Sequence, residues 1–567
     1  MNKVILAVFL CVICSCSPIK DGTSMQTDVS PAFEKPNIVF FLYEDMSSKV
    51  GAFGDPLAVT PNFDRIANEG VRYTRVFTSA GVCSPSRAAL ITGRHQMSIA
   101  SQHMRTVTSA GVTEGRPQSY SAVPPVEVKA FPELLRASGY YTSNDYKTDY
   151  QFGDPFTIWD KTAAKADWSG RDANQPFFHM ATSLLSHESY LWPTDMKGTS
   201  PLEKYIVARN KKWFKDKPPM TNPQDVVVPP YYPDTPEVRR DIAAQYDNIR
   251  LADEELGLLY ARLEKDGLLE NTILIVSTDH GDGLPRAKRS LYDSGLQVPM
   301  VVRYPDGWGA GSVNDELISF VDIAPTILSW AGTDIPKWIH GRDFAGPDRD
   351  APNTYIYAAQ DRMDNDRNYR RAIRSKDYKY IKNYLPNDTY FEPIPFRDVL
   401  PSMRSLWKGH AEGTLPPAAE FLFQPLPDVQ LYSLNDDPHE VKNIAGNKST
   451  QSIENSLKHD LEEFIERVGD MSVVQEEEMI LNMWPNGKQP VTQTGMATFE
   501  KSKTAYLVTL TSETAGASLA YMLDDGEEKW RLYTKPFSLS PASEFQTKAV
   551  RYGYRESEVA SFTVPKN

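Results

Sequence analysis

Short apolar runs alternate with amphipathic stretches along the first 345 residues. The runs that predict strands are residues 37–42, 272–277 and 298–303. The stretches with helical periodicity are residues 60–70, 132–138, 235–266 and 322–331. Runs that are almost continuously apolar are typical of strands covered on both faces, so this part predicts an α/β domain over residues 36–345, with a mainly parallel sheet between helices. In such sheets, chemistry gathers beyond the carboxyl ends of the strands.

The pattern changes after about residue 346. Residues 355–357, 371–374 and 378–381 predict successive antiparallel strands, and a helix is predicted from Gln451 to Val468. We therefore expect a smaller α+β subdomain with an antiparallel sheet over residues 346–490. Only strand patterns remain over residues 500–567, which predicts an appended β-sandwich module.

The N-terminus has the pattern of an export signal. Lys3 precedes an apolar run, Val4 to Val12, that is too short to span a bilayer as a stable helix. Residues 13–16 resemble a bacterial lipobox, so residues 1–16 are interpreted as a lipoprotein signal peptide with Cys16 as the lipidated residue. Ordinary cleavage without a lipid is the alternative. Residues 17–35 are interpreted as a tether, and the protein is expected in the periplasm or on the bacterial outer membrane or cell surface. Membrane contact would come only from the lipid anchor.

The overall charge restricts the possible ligands. The 567 residues carry a net charge of −13, and the sequence pI is about 5.3. A general nucleic-acid-binding role is excluded, because phosphate backbones require a basic face. An anionic ligand would need a local basic pocket within the acidic whole.

Cys83 is the one cysteine outside the signal region. A single cysteine is often a buried structural residue, but here Pro85 suits a first helical turn and Gly93 suits a helix end. Cys83 is thus predicted at the N-terminus of a short helix, where free N–H groups favour an anion. Arg87, one turn later, is able to point its guanidinium at the same place.

The segment from Cys83 to Arg94 resembles the signature of the type I sulfatases of the alkaline phosphatase superfamily. It has the pattern Cys-x-Pro-Ser-Arg, then a leucine, then Thr-Gly-Arg. Further landmarks of the family follow in order, so the resemblance covers about residues 36–485. It implies the alkaline-phosphatase-like fold, sulfate ester hydrolysis, and oxidation of Cys83 to formylglycine (3-oxoalanine) by a formylglycine-generating enzyme. It also implies catalytic roles for Cys83 and Arg87.

Two acidic pairs are predicted at strand carboxyl ends of one sheet. Glu44-Asp45 follows the first strand, and Asp279-His280 follows the strand of residues 272–277. Each pair alone would suit a solvated turn, but three carboxylates together suit calcium or magnesium. The resemblance implies a calcium ion that also binds residue 83. Glu44 and His280 depart from the commoner Asp and Asn of the family, and an imidazole is a poor calcium ligand.

The resemblance assigns roles to further residues. Lys147 and Lys288 would grip the sulfate oxygens, and His187 would lie near the bridging oxygen of the ester, although a lone histidine after a strand is more often structural. Asp149 stands where many relatives have a histidine that helps to expel sulfate. The residues that resemble the substrate pocket of the N-sulfoglucosamine sulfohydrolase and marine polysaccharide sulfatase branch, with a plain surface role as the alternative, are His103, Arg105, Asp149 and Arg362.

These observations predict a sulfatase that acts on a sulfated polysaccharide or its oligosaccharides, either an ulvan-like algal glycan or a glycosaminoglycan. One alternative is a phosphonate or phosphate ester hydrolase of the same superfamily. Another is a non-catalytic glycan-binding lipoprotein with a degenerate catalytic core. The C-terminal module resembles those appended to carbohydrate-active enzymes.

Overall fold

The structure is a computed structural model that describes residues 33–104, 118–364, 367–385 and 388–566. The predicted lipidation site Cys16 and the predicted substrate residue Arg105 lie outside the described residues. None of the helices within the described part of the chain is long and apolar enough to cross a membrane.

A nine-stranded sheet forms the centre of the first part of the chain. Its strands are β1 (Asn37–Tyr43), β2 (Val71–Phe77), β3 (Tyr141–Asn144), β4 (Lys161–Thr162), β5 (Phe177–Ser183), β6 (Thr272–Thr278), β7 (Gln297–Arg303), β8 (Ser312–Asn314) and β9 (Ile318–Ser319). The order is β4-β3-β5-β1-β6-β7-β2-β8, with β9 also paired to β2. Strands β4, β3, β5, β1 and β6 are parallel, whereas β7 runs antiparallel to both neighbours. The predicted mainly parallel sheet is confirmed.

Helices cover both faces of this sheet. The helices of this part of the chain are α1 (Pro61–Glu69), α2 (Cys83–Thr92), α3 (Phe131–Ala137), α4 (Pro201–Trp213), α5 (Pro236–Lys265), α6 (Asp293–Leu296) and α7 (Ile323–Trp330). Alternate residues of β1 enter two different cores. Ile38 and Phe40 pack in the core that contains residues of α2, α3 and α7, while Val39 and Phe41 pack in the core that contains residues of α1 and α5. Burial on both faces explains why the strand is apolar at every position.

A second sheet follows, in antiparallel order β10 (Ile356–Gln360), β11 (Arg370–Arg374), β12 (Tyr378–Asn383) and β13 (Val429–Ser433). Its helices are α8 (Pro401–Glu412), α9 (Pro417–Glu420), α10 (Gln451–Val468) and α11 (Glu476–Met483). Leu457, Leu461 and Phe464 of α10 lie in one core with Ile373 and Tyr380 of the sheet. The antiparallel strands and the helix over residues 451–468 agree with the sequence prediction.

The C-terminal strands form two small antiparallel sheets. They are β14 (Met496–Lys501), β15 (Tyr506–Thr511), β16 (Ser518–Leu523), β17 (Arg531–Leu532), β18 (Phe537–Leu539), β19 (Glu544–Val550) and β20 (Ala560–Thr563). The module is attached to α3 and to the residues just before it: the Tyr552 hydroxyl donates to Glu133 Oε2 of α3 at 2.8 Å, and Lys129 Nζ, before α3, donates to the carbonyl of Gly516 at 2.8 Å. The domain boundaries drawn from the sequence stay predictions.

Candidate active site

Cys83 is the first residue of α2, as the sequence predicted. Val82 before it is extended, and Gly93 ends the helix in the left-handed region at φ 67°. Every residue of α2 is buried, and Cys83 is 1% exposed. The Ser86 hydroxyl donates to the carbonyl of Asp279 at 2.6 Å, which fixes the first turn of α2 against the loop after β6. The thiol therefore lies where the sheet edge and a helix N-terminus meet.

The two acidic pairs lie beside this thiol. Because β1 and β6 are parallel neighbours, their carboxyl ends bring Glu44-Asp45 and Asp279-His280 together. The backbone N–H of Asp45 donates to Asp279 Oδ1 at 3.1 Å, and Asp45 itself has a positive φ of 49°. Cys83 Sγ lies 3.3 Å from His280 Nε2 and 3.8 Å from Asp45 Oδ1. Asp45 and Asp279, 234 positions apart in sequence, thus share one pocket.

This donor set fits a metal ion. Ligand atoms of Asp45, Cys83, Asp279 and His280 lie within 4.8 Å of one another, and a second group joins Glu44, Asp45, Cys83 and His187. Hard divalent cations prefer the carboxylate oxygens that three of these residues supply. Glu44 Oε2 is buried, and although Lys147 Nζ lies 2.9 Å from it, no donor among the described residues meets it in hydrogen-bond geometry. These residues could therefore hold a metal ion, with Glu44, Asp45 and Asp279 as the oxygen donors.

Three cations surround the carboxylates. Arg87 forms ion pairs with Glu44 and, through Nε at 3.4 Å, with Asp279 Oδ2. Lys147 Nζ lies 2.9 Å from Glu44 Oε2, and Lys288 Nζ lies 2.7 Å from Asp45 Oδ2 and 3.4 Å from Cys83 Sγ. The acidic chain thus contains a local cluster of basic side chains, which an anionic ligand requires.

Burial and mutual charge shift the protonation of these groups. Burial raises the pKa of the Cys83 thiol, although Lys288 opposes the shift. Burial alone would raise the pKa of Asp45, but Lys288, His187 and His280 outweigh it and hold that pKa well below its usual value. For His280, the carboxylates of Asp279 and Asp45 outweigh burial and raise the pKa well above its usual value. Cys83 is therefore a neutral thiol, not an activated thiolate.

His187 faces the same pocket from the loop after β5. Its Nε2 lies 3.4 Å from Lys288 Nζ, and its Nδ1 accepts from the backbone N–H of Ser189 at 3.1 Å and lies 2.9 Å from the Ser189 hydroxyl. Burial, together with Lys288, lowers the pKa of His187 to about 3. A neutral imidazole whose Nδ1 accepts from the backbone carries its proton on Nε2, which is the nitrogen that faces the pocket.

A buried ion pair that was not predicted from the sequence lies next to these residues. Arg289 donates to both carboxylate oxygens of Glu188, at 2.8 and 2.6 Å, and Glu188 Oε1 lies 3.2 Å from Lys288 Nζ. The backbone N–H of Glu188 donates to Asp45 Oδ2 at 2.7 Å. Both residues directly follow a predicted site residue, His187 or Lys288, and that adjacency was the available signal.

The remaining predicted residues are held by other protein groups. Lys147 lies 3.0 Å from Asp149 Oδ2, and its charge outweighs burial to lower the pKa of Asp149 to about 2. Arg362 forms an ion pair with Glu476 of α11, and His103 Nε2 is 4.0 Å from the same carboxylate. Arg362 and His103 are therefore brought together by Glu476, a residue that the sequence analysis did not select. Their roles toward a substrate stay predictions.

The chain was compared with known proteins. The family model described as Sulfatase matches residues 36–333, and the model described as N-sulphoglucosamine sulphohydrolase, C-terminal, matches residues 286–393. An ulvan-active sulfatase of Formosa agariphila is 37% identical over 585 residues, covering 98% of this chain and 97% of that protein. The N-sulphoglucosamine sulphohydrolase of Homo sapiens is 25% identical over 458 residues, covering 72% and 86%.

The fold has matching neighbours among solved structures. A 2-O GAG sulfatase aligns with a TM-score of 0.54 at 18% identity, over 78% of this chain and 94% of that one. This likeness concerns the fold, while the family model and the 37% identical relative concern the sequence. The chain belongs to the sulfatase family and is a sulfuric ester hydrolase.

Proposed function

We propose that this sulfatase hydrolyses sulfate esters of a sulfated polysaccharide or its oligosaccharides, with Cys83 oxidised to formylglycine as the nucleophile. One observation carries the proposal: the Cys83 side chain lies at the N-terminus of α2, between three buried carboxylates and the ammonium group of Lys288. A buried structural cysteine would need none of these charges. The match of the Sulfatase family model also favours this reading over a phosphonate or phosphate ester hydrolase or a non-catalytic lipoprotein.

The state of the thiol supports the need for oxidation. Burial raises its pKa, so the thiolate that would attack an ester is disfavoured. An aldehyde at position 83 adds water and gives a carbon with two hydroxyl groups. One hydroxyl is the nucleophile, and the other permits release of the product.

Hydrolysis of the sulfate ester proceeds in two steps. One hydroxyl oxygen loses its proton and bonds to sulfur while the bond from sulfur to the sugar oxygen breaks. The sugar leaves as an alcohol after it receives a proton. The second hydroxyl then loses its proton, the bond between the residue 83 carbon and the sulfate oxygen breaks, and the aldehyde forms again with release of sulfate.

Residues of the pocket have distinct roles in these steps. Lys147 and Lys288 would bind the sulfuryl oxygens, and Arg87 would hold Glu44 and Asp279 in place. A bound sulfate would offset the charge of Lys288 that keeps the His187 ring neutral in the free pocket. The imidazolium of His187 would then donate its Nε2 proton to the sugar oxygen and regain a proton from the hydroxyl groups of residue 83 as they lose theirs. A divalent cation held by Glu44, Asp45 and Asp279, with His280 beside them, would supply positive charge for the nucleophilic hydroxyl and the sulfate. We propose calcium, with magnesium as the second choice.

The relatives suggest the polysaccharide. The 37% identical protein is described as an ulvan-active sulfatase, and it aligns over nearly the whole of both chains. We therefore propose an ulvan-like glycan as the first substrate to test and a glycosaminoglycan as the second. We also propose export to the periplasm or cell surface, a lipid on Cys16, and oxidation of Cys83 by a formylglycine-generating enzyme.

Mass spectrometry of the native protein tests the nucleophile. The tryptic peptide from Val76 to Arg87 contains Cys83 as its one cysteine. We expect it to carry an aldehyde in protein from the natural host or from cells that also produce the maturation enzyme. The same protein should release inorganic sulfate from ulvan. A fully active preparation in which this peptide keeps a free thiol would refute the proposed nucleophile.

A further inference from the structure

An aromatic cluster around Arg209 lies at the rim of the active-site pocket. The "Arg209 rim" consists of Arg209 and Tyr205 of α4, Tyr190 from the loop after β5, and Tyr146 from the loop after β3. Tyr205 precedes Arg209 by four residues, so the two side chains share one face of α4. None of these residues takes part in the reaction steps proposed above.

Arg209 lacks the acidic partner that a half-buried arginine usually has. Its guanidinium lies 3.7 Å from the centre of the Tyr190 ring, and Nη2 donates to the Ser189 hydroxyl at 3.0 Å and to Asn210 Oδ1 at 2.9 Å. Among the described residues, no carboxylate lies within 4.0 Å of it, in contrast to Arg87, Arg289, Arg362 and Arg371. Arg209 is thus a cation with neutral protein partners, and its geometry suits a carboxylate or sulfate.

Two tyrosines of the rim are open to solvent. Tyr146 is 52% exposed and Tyr205 is 65% exposed. Burial lowers the pKa of Arg209, and the nearby hydroxyls of Tyr190, Tyr205 and Tyr146 oppose this shift. Arg209 contacts the Tyr190 ring at 3.7 Å, Tyr205 lies one helical turn before Arg209, and Tyr146 interacts electrostatically with both Arg209 and Tyr205, so the four side chains lie close together. Exposed tyrosine rings beside a cation offer a flat apolar face with a polar edge, which suits one face of a pyranose ring.

The backbone at Tyr146 supports a functional role for the rim. Tyr146 has a φ of 45°, and the turn is closed by the N–H of Lys147 donating to the carbonyl of Asp145 at 3.0 Å. A non-glycine residue with positive φ in a tight turn is strained, and such strain gathers at functional sites. Here one turn supplies both an exposed tyrosine and the Lys147 ammonium that lies 2.9 Å from Glu44 Oε2.

The rim is also joined to His187. The Ser189 hydroxyl that accepts from Arg209 lies 2.9 Å from His187 Nδ1. A group bound at Arg209 would therefore lie beside Ser189, whose hydroxyl contacts His187 of the pocket. A sugar next to the one whose ester is cleaved would reach this position.

We propose that the Arg209 rim is a subsite for an acidic sugar adjacent to the sugar that carries the cleaved sulfate. Arg209 binds the carboxylate or second sulfate of that neighbour, and Tyr146 and Tyr205 pack against its ring. This inference rests on the proposed function, since it assumes a polysaccharide substrate. A purely structural role would account for the contact of Arg209 with Tyr190, but not for two exposed tyrosines around a cation without an acid.

Substrate comparison tests the subsite. The variants are Arg209→Gln and Tyr205→Ala, and the substrates are ulvan oligosaccharides and p-nitrophenyl sulfate, which has no neighbouring sugar. We expect kcat/KM on the oligosaccharides to fall about tenfold or more, mainly through KM, and by at least about fivefold more than on p-nitrophenyl sulfate. Lys211→Gln is the matched control, because it removes a positive charge from another face of α4 and should leave both activities unchanged. Equal losses on the two substrates, or no loss, would overturn the subsite.

Two further measurements separate the possible outcomes. Oligosaccharides whose carboxylates have been reduced to alcohols identify the bound acid: if Arg209→Gln no longer matters, it is a carboxylate, and if the effect persists, it is a sulfate. The Kd of ulvan for Cys83→Ala protein measures binding at the subsite in the absence of turnover. If the wild-type protein releases no sulfate, the proposed function is wrong. The subsite is tested separately by the binding measurement: it is supported if Arg209→Gln weakens ulvan binding and contradicted if the binding is unchanged.

Discussion

The charged groups around Cys83 can be compared with a second buried cluster, in which Arg371 lies between Asp361 and Asp470. In the second cluster Arg371 donates to both oxygens of both carboxylates, at 2.8 to 3.0 Å. Ser472 completes the arrangement, since its hydroxyl donates to Asp361 and its N–H donates to Asp470. Every carboxylate oxygen has a donor, and the arginine is 1% exposed.

The pocket around Cys83 contains more charged groups than the Arg371 cluster, and its hydrogen bonding is less complete. Three carboxylates face three basic side chains, a thiol and a histidine, yet Glu44 Oε2 has only an ion-pair contact, with Lys147 Nζ at 2.9 Å, and no donor in hydrogen-bond geometry among the described residues. Buried ion pairs offset their desolvation only when their hydrogen bonds are complete. The Arg371 cluster meets this condition within the protein, whereas in the pocket we expect a bound cation and a bound anion to complete it. Incomplete hydrogen bonding within the protein therefore distinguishes the candidate active site from a structural ion pair.

The largest expected effect is on the nucleophile. Cys83→Ala should lower turnover by about 10⁴-fold or more, because the hydroxyl that attacks sulfur is missing. The free energy of unfolding should change by less than about 1.5 kcal/mol, since one small buried atom is removed. Sulfate release by ion chromatography and thermal unfolding provide the two readouts. Turnover above a tenth of the wild-type value would contradict the assignment.

Metal removal should give the next largest effect. A chelator should abolish most activity, and calcium or magnesium should restore it. It should also lower the unfolding free energy by about 3 kcal/mol if the ion is present at about a hundred times its Kd. Cys83→Ala protein should show the same loss of stability, and Asp45→Asn protein should show little. Metal-free protein that keeps full activity and stability would remove the metal from the proposal.

Substitution of two arginines compares the clusters directly. Arg371→Met should lower the unfolding free energy by about 3 kcal/mol, because it leaves two buried carboxylates without their partner. Its turnover below the unfolding temperature should stay within about threefold of wild type. Arg87→Met is the matched variant and should lose turnover severely. Equal effects of the two substitutions on turnover would show that the distinction between the clusters is wrong.

The smallest expected effect concerns a buried histidine with a single neutral partner. His179 Nδ1 lies 2.9 Å from the Ser143 hydroxyl, and burial lowers the pKa of His179 from 6.5 to about 4. The folded state therefore binds this proton less well than the unfolded state. The contribution of this shift to the free energy of unfolding is fully present above pH 6.5 and is lost as the pH falls toward 4. About 2 kcal/mol of the free energy of unfolding is lost between pH 7 and pH 5. His179→Asn should reduce this pH dependence in denaturant unfolding, and an unchanged slope would disprove the shift.

Much of the pocket was predictable because local sequence fixes it. The apolar run of β1 and that of β6 are followed at once by acids, and parallel neighbours end at one sheet edge. Pro85 and Gly93 set the limits of α2, which assigned Cys83 to its N-terminus. The positions of Glu44, Asp45, Asp279 and Cys83 thus follow from patterns within about ten residues of each one.

Contacts between distant segments were not predictable. Nothing near Arg362 indicates Glu476, 114 residues later, and nothing near Glu133 indicates Tyr552, 419 residues later. Nothing in the sequence indicates that Arg209 contacts the aromatic ring of Tyr190, whereas Arg289 binds the carboxylate of Glu188.

The sequence by itself determined which residues begin and end the elements, and therefore which side chains leave the sheet edge beside Cys83. The tertiary structure alone decided which charges are paired within the protein and which remain for a ligand. The physical reason is range: backbone periodicity and turn chemistry act over a few neighbouring residues, whereas the partner of a buried charge is set by how separate elements pack.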